Sequence, residues 1–563
     1  MLKFKKIIIL LSVIFFTNLP LSTVYSLEFD EDKISKYFTG IVSIDLYDYE
    51  ESLSNLEDLN NFESEHYRYG YLYLESLINS GNYNDAIKYT KKLQQKGLQN
   101  FESNLFLALS YIKNSEFNKL NTLVTNNFFN NSPTTPTRKM IFDSIVAWGK
   151  IIQDKANNDI DKTFDLESAS TGIKKIQTAL AHCFANSTKT TEKFEELLND
   201  ADNQYARYNF FLADYYINNK NPKKAIAITE NALDKNPGNL LLLQLILDLK
   251  TKNINSNNTY DCTNVSHNIA ELLYIFANAF SSQEIYSMSN FYLGLVKFLN
   301  PNFVSYNILL YENLLKNKKY EVALNLLNEV AQAGEIYHWY SVKQKAKIYD
   351  ERSMQQTGFK LIKQEYDKIA SPSVYQTFDY AEYLKNSKNF EEAIKYYSII
   401  LNQIDTNHLL YALVTDGRGS SYERVAEYEK SEVDLLNSLK KKPDQPYVMN
   451  YLAYTWLELG KNIPQALELL EKANRLRPND PYIIDSLGWG YYKQNRVKDS
   501  LPLIKQAFTL LPTDPTIADH LGDIMWRLGR KLEARYYWEF VVKAEDVEQK
   551  VLETAKEKII FGL

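Results

Sequence analysis

The C-terminal part of the chain carries apolar residues at two periods. Within stretches of about a dozen residues they recur three or four places apart, a spacing that predicts amphipathic helices. At longer range, Leu452, Leu487 and Leu521 hold the same place in three consecutive segments between residues 447 and 541, and they lie about 34 residues apart. The two periods together predict a unit of two helices that is repeated along the chain.

Small residues and prolines stand at fixed places in these segments. One small residue follows each repeated leucine and another lies near the start of the second helix; they are Ala453, Gly488, Gly522, Ala466, Ser500 and Ala534. Small side chains let two helix backbones approach closely. Pro478 and Pro512 follow the second helix, and because proline cannot continue a helix, each separates one unit from the next. One unit cannot bury its apolar face alone, but a stack of units can.

This pattern resembles the tetratricopeptide repeat, a helix–turn–helix unit of about 34 residues. The resemblance implies an all-α fold in which the units form a solenoid, with a right-handed superhelical course and an inner groove. Phe276, Leu310, Lys345 and Tyr380 hold the place of the repeated leucine farther upstream. They extend the regular array, which we assign to residues 269–543.

The remaining segments flank this array. Residues 27–250 show the same spacing in a diverged form, most clearly from Tyr67 onward. Residues 251–268 are polar and break the helical pattern, so we interpret them as a linker loop between two segments of the solenoid. Residues 544–563 are charged and amphipathic, and we expect them to form a capping helix that covers the last unit.

The first 26 residues have the pattern of an export signal. Three lysines precede an apolar stretch from Ile7 to Phe16, and Ser26 completes an acceptable cleavage site. The apolar stretch is too short for a standard membrane span, and no cysteine that could be lipidated lies near it. We therefore expect an exported, periplasmic protein with no integral membrane domain after cleavage. The alternative is anchoring in the inner membrane by an uncleaved N-terminal segment.

Composition and motifs narrow the possible functions. The 563-residue chain has a net charge of −6, which argues against nonspecific binding to nucleic acid. The sequence has no P-loop, nucleophile elbow, dinucleotide glycine motif or H-E-x-x-H, so we expect no cofactor, no metal and no catalytic site. The two cysteines are Cys183 and Cys262. In an exported chain they could pair, and two separate buried thiols fit the sequence equally well.

The repeats and the export signal together resemble a family of long envelope tetratricopeptide proteins of proteobacteria. The resemblance is carried by the stretches NYLAYTWLELGKNIPQALELLEKANRLRPND, IIDSLGWGYY and ADHLGDIMWRLGRKLEARYYWE. It implies a non-enzymatic scaffold or adaptor that binds protein partners, such as an envelope protease or a cell-wall enzyme. The alternatives are a binder or enzyme associated with peptidoglycan or another glycan, and a membrane-anchored assembly factor.

The groove of such a solenoid is lined by the first helix of each unit. At its C-terminal end the inward places are aromatic and acidic, and the candidate partner-binding residues are Tyr454, Asp485, Trp489, Tyr492, Asp519, Asp523 and Trp526. The preceding unit adds Asp416, Glu423 and Arg424. Aromatic rings supply buried area and carboxylates select positive charge, so we predict that the groove binds a basic or neutral, partly apolar segment. In the alternative interpretation, the tryptophans pack between units and the acids are only solvated.

Overall fold

The structure is a computed structural model that describes residues 31–563, apart from 60–61, 65, 127–133, 155–158, 200–205, 253–257, 546 and 548. The export signal predicted for residues 1–26 lies outside the described residues. In the described part, the regular structure consists of α-helices, two short 3-10 helices and one isolated β-bridge between Asn258 and Phe303. The prediction of an all-α fold is confirmed.

The chain forms two compact units that divide after Ser341. The first unit contains seventeen of the described α-helices, numbered in chain order: α1 Glu31–Asp45, α2 Tyr49–Glu57, α3 Tyr67–Asn79, α4 Tyr83–Gln95, α5 Phe101–Lys113, α6 Phe117–Thr125, α7 Pro136–Gln153, α8 Ile160–Thr163, α9 Thr171–Phe184, α10 Thr190–Leu198, α11 Ala206–Asn218, α12 Pro222–Lys235, α13 Leu240–Thr251, α14 Val265–Ser282, α15 Tyr286–Leu299, α16 Tyr306–Lys316 and α17 Tyr320–Val330. Its 3-10 helices are Phe62–Ser64 and Ala331–Ala333.

The division between the units falls inside the next helix, α18 Glu335–Glu351. The described helices that follow belong to the second unit: α19 Gln355–Asp367, α20 Val374–Asn386, α21 Phe390–Leu401, α22 Tyr411–Arg424, α23 Tyr428–Lys441, α24 Pro446–Glu458, α25 Ile463–Leu476, α26 Pro481–Lys493, α27 Val497–Leu510, α28 Pro515–Arg527, α29 Lys531–Lys543 and α30 Gln549–Phe561. From α20 onward each helix packs on the next, and the first helices of consecutive pairs also touch one another. The second unit is therefore a solenoid of helix pairs.

The sequence explains where these pairs begin and how closely they pack. Asp480 caps α26 by accepting hydrogen bonds from the backbone amides of residues 482 and 483, and proline fills the first helical position. A Cβ atom on Gly488 would lie 2.7 Å from Ile504, and one on Gly522 would lie 2.4 Å from the indole nitrogen of Trp538. The small residues of the repeat are thus required by contact between the two helices of each pair, as the pattern predicted.

The first unit is closed by a helix pair that folds back on earlier helices. Helices α14 and α15 pack against α3, α5, α7 and α9, and α5 is buried on almost every side. One continuous hydrophobic core extends from Leu74 to Leu309. At its centre the Arg207 guanidinium donates to both carboxylate oxygens of Glu271, at 2.8 and 2.9 Å. The helix pair that follows the polar loop therefore belongs to the same core as the helices before it.

The polar loop does not separate the two units. Helix α13 ends at Thr251 and α14 begins at Val265, so a loop is present within the segment 251–268 that the sequence marked as a linker. However, Cys262 in this loop forms a disulfide with Cys183 on α9, with the two Cα atoms 5.7 Å apart. The loop is held within the first unit, and the division lies farther along the chain, after Ser341. The disulfide also resolves the alternative that the sequence left open for the two cysteines.

No helix of the described residues combines the length and the apolar character that are needed to cross a bilayer.

Candidate functional site

The residues predicted for the groove lie on three consecutive first helices of the second unit. Tyr454 is on α24; Asp485, Trp489 and Tyr492 are on α26; Asp519, Asp523 and Trp526 are on α28. We call the surface formed by α20, α22, α24, α26 and α28 the first-helix face. The structure brings several of these side chains together, and it pairs most of the charged ones with other residues of the same chain.

Asp485 is buried in an ion pair with the next unit. The Nδ1 atom of His520 lies 2.9 Å and 3.1 Å from the two carboxylate oxygens of Asp485. Burial alone would lower the pKa of His520, but the charge of Asp485 and this hydrogen bond outweigh burial and raise it. Trp489 stacks on the imidazole of His520, with ring centroids 4.0 Å apart, and on Tyr492 at 4.8 Å. Asp485 and Trp489 therefore join two repeat units.

Asp519 and Asp523 share one lysine of helix α30. The Lys558 ammonium on α30 lies 2.7 Å from Asp519 and 2.8 Å from Asp523, and the lysine is only 9% exposed. Burial would lower the pKa of Lys558, but the two carboxylates raise it. The indole nitrogen of Trp538 donates a further hydrogen bond, 3.0 Å long, to Asp523. These two acids hold α30 in place, so they are not free to select a positively charged partner.

Trp526 is half-buried under the end of the chain. A Cβ atom on Gly562 would lie 2.0 Å from its indole ring, and the cationic groups of Lys531 and Arg535 lie 5.0 and 5.2 Å from the ring centroid. Tyr454 and Tyr492 are also half-buried. Of the seven predicted residues, the two tyrosines are those that remain partly open on the first-helix face without an ionic role.

One carboxylate of this face has no partner among the described residues. Asp416 on α22 makes no hydrogen bond or ion pair there. Burial raises its pKa to about 6, with Lys385 opposing the shift and Glu382 adding to it, so at neutral pH the group is largely ionised. Lys385 itself pairs with Glu382 at 2.9 Å. Asp416 is thus the acidic group of the face that is available to an external base.

A row of exposed apolar side chains runs along the same helices. Each lies in the first turn of its helix, and their exposed fractions are 42% for Tyr375, 38% for Leu413, 43% for Tyr447 and 53% for Tyr482. These residues were not predicted from the sequence, because they lie at the helix start and not at the inward places around the repeated leucine. The repeated dipeptides Pro446-Tyr447 and Pro481-Tyr482 are the signal that could have identified it.

The described residues contain no group of three or more His, Cys, Asp or Glu side chains arranged to hold a metal ion.

The chain is similar over part of its length to a known repeat protein. No family model matches the chain. A TPR repeat-containing protein of Pseudomonas aeruginosa is 33% identical over 110 residues, which make up 20% of this chain and 17% of that protein. The chain thus spans about a sixth of the length of that relative. This match and the helix pairs of the second unit confirm the resemblance to tetratricopeptide repeats.

Solved structures with similar helix pairs include a tetratricopeptide repeat protein of Parabacteroides merdae and a thermophilic TPR protein of Thermus thermophilus. The first is 15% identical with a TM-score of 0.32, and the alignment covers 39% of this chain and 85% of that one. The second is 14% identical with a TM-score of 0.29, and the alignment covers 34% of this chain and 100% of that one. These scores are too low for a correspondence between individual residues.

Proposed function

We propose that this tetratricopeptide-repeat chain is a non-enzymatic scaffold that holds a segment of a protein partner on the first-helix face of its second unit. The observation that carries the proposal is the row of half-exposed apolar side chains, one on each of four consecutive first helices. Large apolar groups that stay exposed in register along a surface are typical of a protein-binding site.

The geometry supports an extended partner segment. Packed helices lie about 8–10 Å apart, so the row from Tyr375 to Tyr482 spans roughly 30 Å. An extended chain advances about 3.3 Å per residue, and a segment of about ten residues would cover that distance. Such a segment would place apolar side chains against the row at intervals of about three residues.

Charge on this face favours a basic group in the partner. Asp416 is ionised and lacks an internal partner, whereas Asp485, Asp519 and Asp523 are occupied by His520 and Lys558. We therefore propose that Asp416 attracts the basic group of the partner. Tyr454 on the next first helix supplies an aromatic surface beside it.

The proposed location is the periplasm, reached through the N-terminal export signal. Two observations support it: the lysines and apolar stretch within residues 1–26, and the disulfide Cys183–Cys262, since disulfides persist mainly in oxidising compartments. An envelope protease or a cell-wall enzyme is the proposed kind of partner. N-terminal sequencing of the mature protein tests the location, because a chain that starts at Leu27 fits cleavage and a membrane-bound chain that starts at Met1 fits the anchored alternative.

The binding site is tested by capture from envelope extract with residues 27–563 as bait, followed by affinity measurement with the purified partner. The test variant combines Tyr375→Ser, Leu413→Ser and Tyr482→Ser. The matched control replaces three exposed apolar residues on second helices, Val433, Leu436 and Tyr536, by serine.

We expect the test variant to weaken partner binding at least tenfold and the control variant to leave it unchanged, because buried apolar anchors carry most of the binding energy. Asp416→Asn should weaken binding of the same partner, and the loss should shrink at high salt. Equal binding by test and control variants would exclude the first-helix face as the site. Failure to capture any partner would favour the glycan-associated alternatives.

A further inference from the structure

Three tyrosines and one carboxylate of the first unit lie on neighbouring elements. Tyr47 lies in the turn after α1, Tyr49 begins α2, and Tyr71 and Glu75 lie one turn apart on α3. The rings of Tyr47 and Tyr49 are perpendicular, with centroids 6.1 Å apart. Glu75 interacts electrostatically with the hydroxyls of all three tyrosines.

The walls of this site are fixed by helices α15 and α16. The Asn290 amide donates a 2.6 Å hydrogen bond to the hydroxyl of Tyr47 and accepts one from Asn313. The Tyr71 ring lies 5.3 Å from that of Phe291, and its hydroxyl donates to the sulfur of Met288 at 3.8 Å. The three tyrosines are only half-buried, so their rings are held in place while part of each remains open to solvent.

Glu75 has no partner in this setting. It is 5% exposed and makes no hydrogen bond or ion pair within the part of the chain that the structure describes. Three other buried carboxylates of the first unit each have a base; the pairs are Glu63 with Lys92 and Lys96, Glu102 with Arg138, and Glu271 with Arg207. A buried carboxylate without a partner is costly to ionise, so a cation bound beside Glu75 would stabilise its ionised form.

We infer that Glu75 and the faces of Tyr47, Tyr49 and Tyr71 form a binding site for an organic ammonium group, either a primary amine or a methylated one. Aromatic faces attract cations, and recognition of ammonium groups by several rings is a known use of this attraction. A carboxylate at the base of the site supplies the counter-charge. The source of the cation is either a lysine side chain of a protein or a free small amine.

A metal ion fits the site less well. Calcium and magnesium require about six oxygen ligands, and the described residues contain no cluster of metal-ligating side chains. An ammonium group needs one carboxylate and contact with the rings, which is what these four residues offer.

The pKa of Glu75 determines the pH at which binding of an ammonium group should be measured. Burial raises its pKa to about 8, and Arg68 opposes that shift slightly. The other titratable groups that face it are the three tyrosines, and burial raises each of their pKa values above the ordinary 10. At pH 8.5 Glu75 is therefore largely ionised while the tyrosines stay neutral, so binding is best measured there.

The experiment uses the protein as residues 27–563 and two probes, tetramethylammonium chloride and the tripeptide acetyl-Gly-Lys-Gly-amide. Binding is followed by isothermal titration calorimetry and by the chemical shifts of tyrosine ring protons. We expect saturable binding of at least one probe, at least tenfold weaker in Glu75→Gln and Tyr49→Leu and unchanged in the control Glu116→Gln, a half-exposed carboxylate of the same unit that pairs with Lys119.

The Glu75→Gln change keeps the shape of the side chain and removes its charge. Thermal unfolding checks that each variant is folded. Binding of the tripeptide but not of tetramethylammonium identifies a lysine of a protein as the source, and the reverse identifies a methylated small molecule. Absence of saturable binding by the unmodified protein, or equal affinity in Glu75→Gln, overturns the inference. The test is independent of the scaffold proposal, because none of these residues lies in the second unit.

Discussion

At the scale of single residues, Glu75 should make the first unit sensitive to pH when its site is empty. Its pKa is raised from 4.5 in the unfolded chain to about 8 in the folded protein. Between these values the folded state binds one proton more than the unfolded state, so stability falls as pH rises through the window and becomes level above it. The slope of one such group is about 1.4 kcal/mol per pH unit.

Glu75→Gln should remove this slope. We expect the variant and the unmodified protein to have similar stability near pH 5, and the variant to be more stable by roughly 4 kcal/mol near pH 8. Urea unfolding followed by circular dichroism across this range measures the difference. Parallel stability curves for the two proteins would contradict the prediction, and Glu116→Gln, which changes a half-exposed carboxylate, provides the control.

The sequence could predict which residues lie on the first-helix face. It could not predict which other residues form ion pairs with them. The repeat register placed Asp485, Asp519 and Asp523 on this face because that depends only on position within a helix. Whether an acid is free depends on side chains 35 to 39 residues away, His520 and Lys558. Those contacts follow from how neighbouring helices pack, which the spacing of apolar residues does not determine.

At the scale of elements, α30 should depend on its buried Lys558. Lys558→Met keeps most of the side-chain volume but leaves Asp519 and Asp523 buried without their counter-charge. Removing one partner of a buried ion pair costs about 3–5 kcal/mol. We therefore expect the C-terminal repeats to unfold at a lower urea concentration, as followed by the fluorescence of the nearby Trp538.

If the uncompensated charge of Asp519 and Asp523 causes the loss of stability in Lys558→Met, removing that charge should restore stability. Adding Asp519→Asn and Asp523→Asn to Lys558→Met should recover much of the lost stability, because no uncompensated charge then remains buried. Lys556→Met, an exposed lysine of the same helix, should have little effect. If Lys556→Met destabilises as much as Lys558→Met, the ion pairs are not what holds α30.

Helices were the elements that the sequence specified best. The helix pairs of residues 374–543 follow the repeat closely, since proline, small residues and repeated leucines each have a local or nearest-neighbour role. Helix α30 lies within the segment 544–563 that the pattern marked as amphipathic. The extent of the first unit was harder to foresee, because α14 and α15 contact helices more than 100 residues earlier, such as α5.

At the scale of the whole molecule, the disulfide should stabilise the first unit and leave the second unaffected. Cys183 and Cys262 are 79 residues apart, and a cross-link that closes a loop of this length restricts the unfolded chain by about 4 kcal/mol. The bond ties the polar loop to α9, next to the start of the helix pair that completes the core. Its loss should therefore lower the stability of the first unit as a whole.

The test compares the unmodified protein with a Cys183→Ser, Cys262→Ser variant by calorimetry, with and without reducing agent. We expect one transition to move to lower temperature in the variant while a second transition stays in place, because the second unit contains neither cysteine. Reducing agent should shift the first transition of the unmodified protein by a similar amount and should not change the variant. A shift of both transitions would mean that the two units unfold as one, and a shift of neither would mean that the bond does not constrain the first unit. A chain that needs this bond for stability is suited to an oxidising compartment, so the same measurement bears on the proposed export to the periplasm.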